Sequence, residues 1–261
     1  MTSPMIEPDE LAALHAAGAV QVVDCRFRLG EHGAGRALFA EGHIPGALYL
    51  DLDDDLSAPT REDRLGGRHP LPERDALAAT VRRAGLRAGV PIALYDDGTG
   101  GAARAWWVLR HHGVGTRVLR GGLAAWHGPL APGDPPAGGG DLELGPERTG
   151  DLVEAADVQA ALERGVLVLD ARAPERYRGE VEPMDPVAGH IRGAVNAPFN
   201  APDAVGPDVL EAVEAPIAYC GSGVTAAALV LRIADMGRDD VRLYAGSWSD
   251  WCARGLAEPA G

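Results

Sequence analysis

Apolar residues along this chain gather into short continuous runs separated by longer stretches with helical spacing. Val20 to Asp24 and Ile92 to Tyr95 read as buried strands in the first half, and Val166 to Asp170 and Pro216 to Tyr219 do so in the second. Between them, Pro8 to Ala19 (with Leu11, Leu14 and Ala17), Glu73 to Ala84, Ala102 to His112 and the segment from Ala226 carry the helical pattern. The stretch from Arg26 to Gly42 reads as a loop. Strands alternating with helices predict an α/β fold, with mostly parallel sheets and helices on both faces.

The second half repeats the first. Val166 to Arg172 matches Val20 to Arg26, and Gly189-His190-Ile191-Arg192-Gly193-Ala194 matches Gly42 to Ala47. The strand ending at Tyr219-Cys220 matches the one ending at Tyr95-Asp96, and Ala226 to Gly237 matches Ala102 to Gly113 at equal length. Gly246 to Trp251 matches Gly122 to Trp126 with one residue added. Landmarks that recur in one order predict two tandem domains, at 1–130 and 150–261. Residues 131–149, with Pro135-Pro136 and Gly138-Gly139-Gly140, read as an irregular linker.

Bulk properties narrow the possible partners. The chain has 261 residues, 46% of them hydrophobic and 24% charged, which is a globular composition. A formal net charge of -14 argues against nucleic acid or an anionic membrane as main partner, while a local arginine cluster could still hold a small anion. The N-terminus lacks a basic segment followed by a long apolar one, and no run approaches a membrane span, so neither a signal peptide nor a membrane anchor is expected. Three cysteines (Cys25, Cys220, Cys252) form neither a disulfide framework nor a zinc-spaced set, so no metal or cofactor is expected and a reducing cytoplasm is the simplest home.

One cysteine stands apart. Cys220 ends a strand, passes through Gly221-Ser222-Gly223-Val224-Thr225, and enters the helical pattern at Ala226. Backbone N–H groups converging at a helix N-terminus stabilise an anion and lower a thiol's pKa, and Gly221 and Gly223 let those groups turn inward. The first copy carries Asp96 at this position, which suggests the open mouth of a loop and leaves only the second copy equipped with a nucleophile. Thr225 reads as a cap for the helix, His43 and His190 as loop ties, and Asp24, Arg26, Asp170 and Arg172 as structural residues. Trp248 could wall a pocket.

A tandem α/β unit with Asp-x-Arg, Gly-His-Ile-x-Gly-Ala and a loop beginning at Cys resembles the two-domain rhodanese family of sulfurtransferases. The Cys220-Gly221-Ser222-Gly223-Val224-Thr225-Ala226 loop is similar to that of its 3-mercaptopyruvate branch. The resemblance implies a Cys220 persulfide, filled by a small anionic donor (3-mercaptopyruvate, or thiosulfate) and emptied by cyanide or by a thiol such as thioredoxin or a small thiol. It implies proton handling by Ser222 with His69 and Asp53, the last two from the N-terminal domain. Donor binding would fall to Arg176, Arg178 and the loop residues Gly221, Gly223, Val224 and Thr225. The chain departs from that branch at Met184, where a second arginine usually follows a Glu-Pro pair; either another arginine, such as Arg68 beside His69, substitutes, or the donor differs. A persulfide relay module without its own catalysis is the alternative. A Cys-dependent phosphatase is disfavoured, because the loop ends on Thr225-Ala226 and not on an arginine.

Overall fold

The computed structural model of the chain describes residues 3–136, 138–201 and 204–258. It contains two compact units. The first is built from residues up to Ala58 and from Pro72 to Arg148, the second from Pro59 to Leu71 and from Thr149 onward. Residues 59–71 thus pack with the second unit, although they lie within the span expected for the N-terminal domain.

In the first unit β1 (Met5–Ile6), α1 (Pro8–Ala16), β2 (Gln21–Asp24), α2 (Ala34–Glu41), β3 (Leu48–Tyr49), α3 (Arg74–Ala84), β4 (Ile92–Tyr95), α4 (Gly101–His111) and β5 (Arg117–Leu119) follow in order. Their strands form one parallel sheet in the order β1-β5-β4-β2-β3. Helix α2 falls where a loop was expected. Its eight residues bury Phe39 completely against the core around Tyr49 and Tyr95, and Gly33 in the left-handed region starts it. One buried aromatic, not a long apolar periodicity, holds this helix, so the sequence pattern is weak there. Part of the expected linker is also packed on this unit: Ala131 exchanges both backbone hydrogen bonds with His43, and the Gly140 and Leu142 N–H groups donate to Arg82 and Leu86.

The second unit runs α5 (Ala155–Glu163), β6 (Val168–Asp170), α6 (Pro174–Tyr177), β7 (Val195–Asn196), α7 (Pro207–Glu211), β8 (Ile217–Tyr219), α8 (Val224–Asp235), β9 (Arg242–Leu243) and α9 (Ser247–Ala253). Its parallel sheet has the order β7-β6-β8-β9. The core clusters Val158, Val168, Ile191, Ile217, Tyr219, Tyr244 and Trp248. Parallel strands buried on both faces explain why β2, β4 and β8 appear as continuous apolar runs. No helix among the described residues is long and apolar enough to cross a membrane.

Each repeat landmark has a structural job. Asp24, at the C-terminal end of β2, accepts the Arg26 Nη2 hydrogen bond at 2.6 Å and the Tyr95 hydroxyl at 2.8 Å. Arg26 goes on to donate to the Leu38 and Gly42 carbonyls, fixing the end of α2. Asp170 and Arg172 do the same at 2.7 Å in the second unit, with Arg172 donating to the Gly189 carbonyl. His43 and His190 place Nδ1 2.8 Å from the Phe39 and Tyr177 carbonyls and stack on those rings, the loop-tying role expected of them.

Removing one partner of such a pair strands the other charge in the interior. Asp24→Ala is therefore expected to destabilise the first unit by about 3–5 kcal/mol. Urea unfolding followed by circular dichroism would measure this.

Candidate active site

The site is built by the turn between β8 and α8. Tyr219 is the last strand residue, Cys220 follows, and α8 begins at Val224 with Gly223 at φ 83° before it. The left-handed conformation of Gly223 turns the chain so that its N–H points back and donates to Cys220 Sγ at 3.1 Å. Burial pushes the thiol up. The Thr225 hydroxyl and the N–H groups of Ser222, Ala226 and Gly223 outweigh it and hold the thiol below the ordinary cysteine range. The helix begins two residues earlier than the sequence pattern suggested, and Thr225, expected as its cap, bonds the sulfur instead.

Gly221 does a different job from the one anticipated. Its φ is not in the left-handed region, and what it supplies is clearance. A β-carbon there would stand 2.8 Å from Arg68 Nη2 and 3.3 Å from Arg176 Nη1. Two guanidinium groups thus lie over the residue next to Cys220.

The loop is also held from its far side. Ser247, buried and in the left-handed region at φ 57°, accepts the Cys220 N–H at 3.0 Å and donates to the Tyr244 carbonyl at 2.9 Å. Its Oγ lies 3.9 Å from Cys220 Sγ. The first free N–H groups of α9, those of Trp248 and Ser249, take the Cys220 and Gly221 carbonyls. The added residue of the second repeat copy lies in this Gly246–Trp251 stretch, and that insertion was the one sequence signal for Ser247.

Ser222 and His69 meet as expected, with Oγ and Nδ1 at 2.8 Å and both side chains buried. Both belong to the second unit, because residues 59–71 do. Asp53 lies in the first unit. There Asp51 organises the acidic turn, accepting the Tyr49 hydroxyl and the N–H groups of Asp53 and Asp54. Asp54 pairs with His32 and Asp55 with Arg83. Partial desolvation and the Asp51 charge raise the Asp53 carboxyl above its ordinary range.

Arg176, at the end of α6, donates to Glu182 Oε1 at 2.6 Å. Glu182 also accepts Arg172 at 3.2 Å and the Met184 and Asp185 N–H groups. Asp185 holds Arg68 at 2.5 Å and lies 3.8 Å from Arg176. Sequence reasoning passed over Glu182 and Asp185, since carboxylates downstream of a loop carry no signal without their partners. Arg178 pairs with Glu180 at 2.7 Å on the surface, and among the described residues no hydrogen bond or ion pair links it to the Cys220 loop. Met184 is exposed. Trp248 is not a pocket wall: it is fully buried, its Nε1 donates to the Val187 carbonyl, and Arg172 lies 5.0 Å from its ring centre.

The first unit offers a direct contrast. Asp96, at the Cys220 position, accepts the Gly98, Gly100 and Ala102 N–H groups at 2.9, 2.9 and 3.0 Å. It is buried, as Cys220 is, so the position is a closed nest and not the open mouth expected from the sequence. The other thiols are poorly suited to attack. Burial and the Asp24 charge raise Cys25, while burial and Asp185 push Cys252 up to about 11. Among the described residues no cluster of His, Cys, Asp or Glu is arranged to hold a metal ion. The arrangement suits nucleophilic chemistry by an activated thiolate on a small anion.

Comparison with known proteins agrees with this chemistry. A rhodanese-like domain model matches residues 7–129 and again 154–254. A Pseudomonas aeruginosa protein named as a probable 3-mercaptopyruvate sulfurtransferase is 42% identical over 274 residues, spanning 96% of this chain and 95% of that one. SseB of Mycobacterium tuberculosis, provisionally named a thiosulfate sulfurtransferase, is 41% identical over 277 residues, spanning 95% and 93%. The solved structure of SseA from Escherichia coli, described with the 3-mercaptopyruvate sulfotransferases, superposes with a TM-score of 0.79 at 30% identity. It covers 95% of this chain and 99% of its own.

If the Thr225 hydroxyl sustains the thiolate, Thr225→Val should raise the pH at which iodoacetamide alkylates Cys220. A hydrogen bond to a charged group contributes about 1.5–3 kcal/mol, so alkylation at neutral pH should slow by roughly tenfold or more. An unchanged pH profile would remove Thr225 from the activation.

Proposed function

The chain belongs to the rhodanese-like family and is a sulfurtransferase; accordingly we propose that it moves a sulfur atom from 3-mercaptopyruvate, through a persulfide on Cys220, to a thiol acceptor. The observation that carries this reading is the nest of N–H groups and the Thr225 hydroxyl around Cys220 Sγ, which lowers the thiol's pKa. The thiolate attacks the donor sulfur and forms an S–S bond while the donor's C–S bond breaks. The released electron pair stays on carbon, which takes up the proton given up by the donor thiol, and pyruvate leaves. The persulfide keeps the negative charge that the nest is built to hold. An acceptor thiolate then attacks the outer sulfur and expels Cys220 as thiolate, giving ping-pong kinetics.

Donor choice turns on the proton. With thiosulfate the S–S bond breaks and sulfite departs with the electron pair, so no proton has to reach carbon. With 3-mercaptopyruvate one does, and the buried Ser222–His69 pair at 2.8 Å is a relay suited to moving it. This pair favours 3-mercaptopyruvate, with Asp53 as the third member that the family resemblance implies. Arg176 binds the donor's carboxylate end, and Gly221, Gly223, Val224 and Thr225 form the surface around the sulfur. Thioredoxin, small thiols and cyanide are acceptors of the right chemistry, and a reducing cytoplasm would keep Cys220 available.

Treatment with 3-mercaptopyruvate, then mass spectrometry, should find one added sulfur on Cys220, which acceptor thiol removes; Cys220→Ser should abolish turnover. Ser222→Ala should slow turnover by about 10²-fold or more with 3-mercaptopyruvate and less steeply with thiosulfate. Equal losses with both donors would argue against the proton relay. A Cys220 left unmodified by either donor would defeat the enzyme reading in favour of a relay module.

A further inference from the structure

The donor proposed above carries an anionic end, and the position after Glu182-Pro183 supplies no cation for it, since Met184 is there. Arg68 stands where such a cation is needed. It is nine-tenths buried, its Nη1 donates to Asp185 at 2.5 Å, and its Nη2 lies over Gly221, the neighbour of Cys220. Nη2 makes no hydrogen bond among the described residues, and the buried Nε has no partner. Arg176 mirrors it: Nη2 is engaged by Glu182, Nη1 points to the same Gly221, and Nε is likewise unpartnered. The two Nε groups are buried without an acceptor, which is costly unless a ligand or water meets them.

The segment that delivers Arg68 is built for this placement. Gly66 and Gly67 both take left-handed φ angles, 87° and 83°. A β-carbon on Gly67 would stand 2.5 Å from the Gly246 carbonyl, so the segment can approach the start of α9 only with glycine at that position. The Gly66 N–H donates to buried Asp250 at 2.7 Å, and Thr60 Oγ1 donates to the Arg68 carbonyl at 2.7 Å. The turn is thereby fixed at both ends, and Asp185 fixes the side chain.

We infer that Arg68, positioned by Asp185, is the second donor-binding cation of this enzyme, forming with Arg176 a two-guanidinium clamp for the carboxylate or oxyanion end of the sulfur donor. The clamp replaces an arginine that would come from the α6–β7 connection by one that comes from the 59–71 segment. Asp185 and Glu182 each neutralise one face of a guanidinium and leave the other for the donor, so the clamp selects a small anion without leaving two bare charges in the interior. The inference rests on the sulfur-transfer reading above.

The test is single-turnover formation of the Cys220 persulfide as a function of donor concentration, for 3-mercaptopyruvate and for thiosulfate. Arg68→Gln should raise the half-saturating concentration of both donors by about ten- to hundredfold, the range expected for a lost charge-assisted hydrogen bond pair, with a smaller change in the limiting rate. Arg68→Lys should recover part of the loss, because it keeps the charge without the planar fork. Thermal unfolding of each variant checks folding. If Arg68→Gln strands Asp185 and unfolds, the Arg68→Gln/Asp185→Asn double variant removes both charges and carries the same expectation. A folded variant with unchanged half-saturation for both donors, in a wild type that forms the persulfide, overturns the clamp and leaves the enzyme reading intact. No persulfide in the wild type overturns the enzyme reading itself.

Discussion

An alternating row of buried charges underlies the second unit. Asp170, Arg172, Glu182, Arg176, Asp185 and Arg68 follow one another as carboxylate and guanidinium, with neighbouring atoms 2.5 to 3.8 Å apart. Its first pair closes the end of a central strand, and its last member stands over the Cys220 loop. Each interior charge in the row has opposite charge on both sides, which is how ions are tolerated where water is scarce. The same contacts set the direction of each guanidinium. The strand-end pair is thus continuous with the two guanidinium groups beside Gly221.

The two copies show what the repeat has conserved physically and what it has let go. Both retain the carboxylate–guanidinium pair at the strand end and the histidine stacked on an aromatic ring. Beyond that they part. Arg26 spends its remaining donors on backbone carbonyls, while Arg172 reaches Glu182 and starts the row. At the loop, the first copy fills its nest of N–H groups with its own Asp96 carboxyl group, and the second fills it with the Cys220 sulfur. In the first copy the Gly98, Gly100 and Ala102 N–H groups are thus already taken by the chain's own side chain.

What could be read from the chain follows from how local each feature is. The strands, α4 and α8 announce themselves by apolar runs and helical spacing, and Cys220 by glycines at fixed offsets from a strand end. The Asp-x-Arg pairs and the Gly-His-Ile segments were visible because they occur twice. Arg68, Asp185 and Ser247 depend on contacts across roughly 117, 117 and 27 positions of chain, a separation at which a single sequence carries no pairing information. Gly221 illustrates a subtler limit: the residue type was legible, but its reason was a guanidinium above it and not a backbone angle. Helix α2 was missed because one buried phenylalanine, not a periodic stripe, holds it in place.

The passage of residues 59–71 into the second unit has a consequence for how this protein can be divided. The repeat boundary near residue 150 looks like a natural place to cut, yet a fragment starting there would leave Arg68 and His69 behind on the other piece. The covalent order of the chain and the assembly of its chemistry are therefore out of step by one borrowed segment. The unit that holds the Cys220 thiol is therefore not encoded by one continuous stretch of chain.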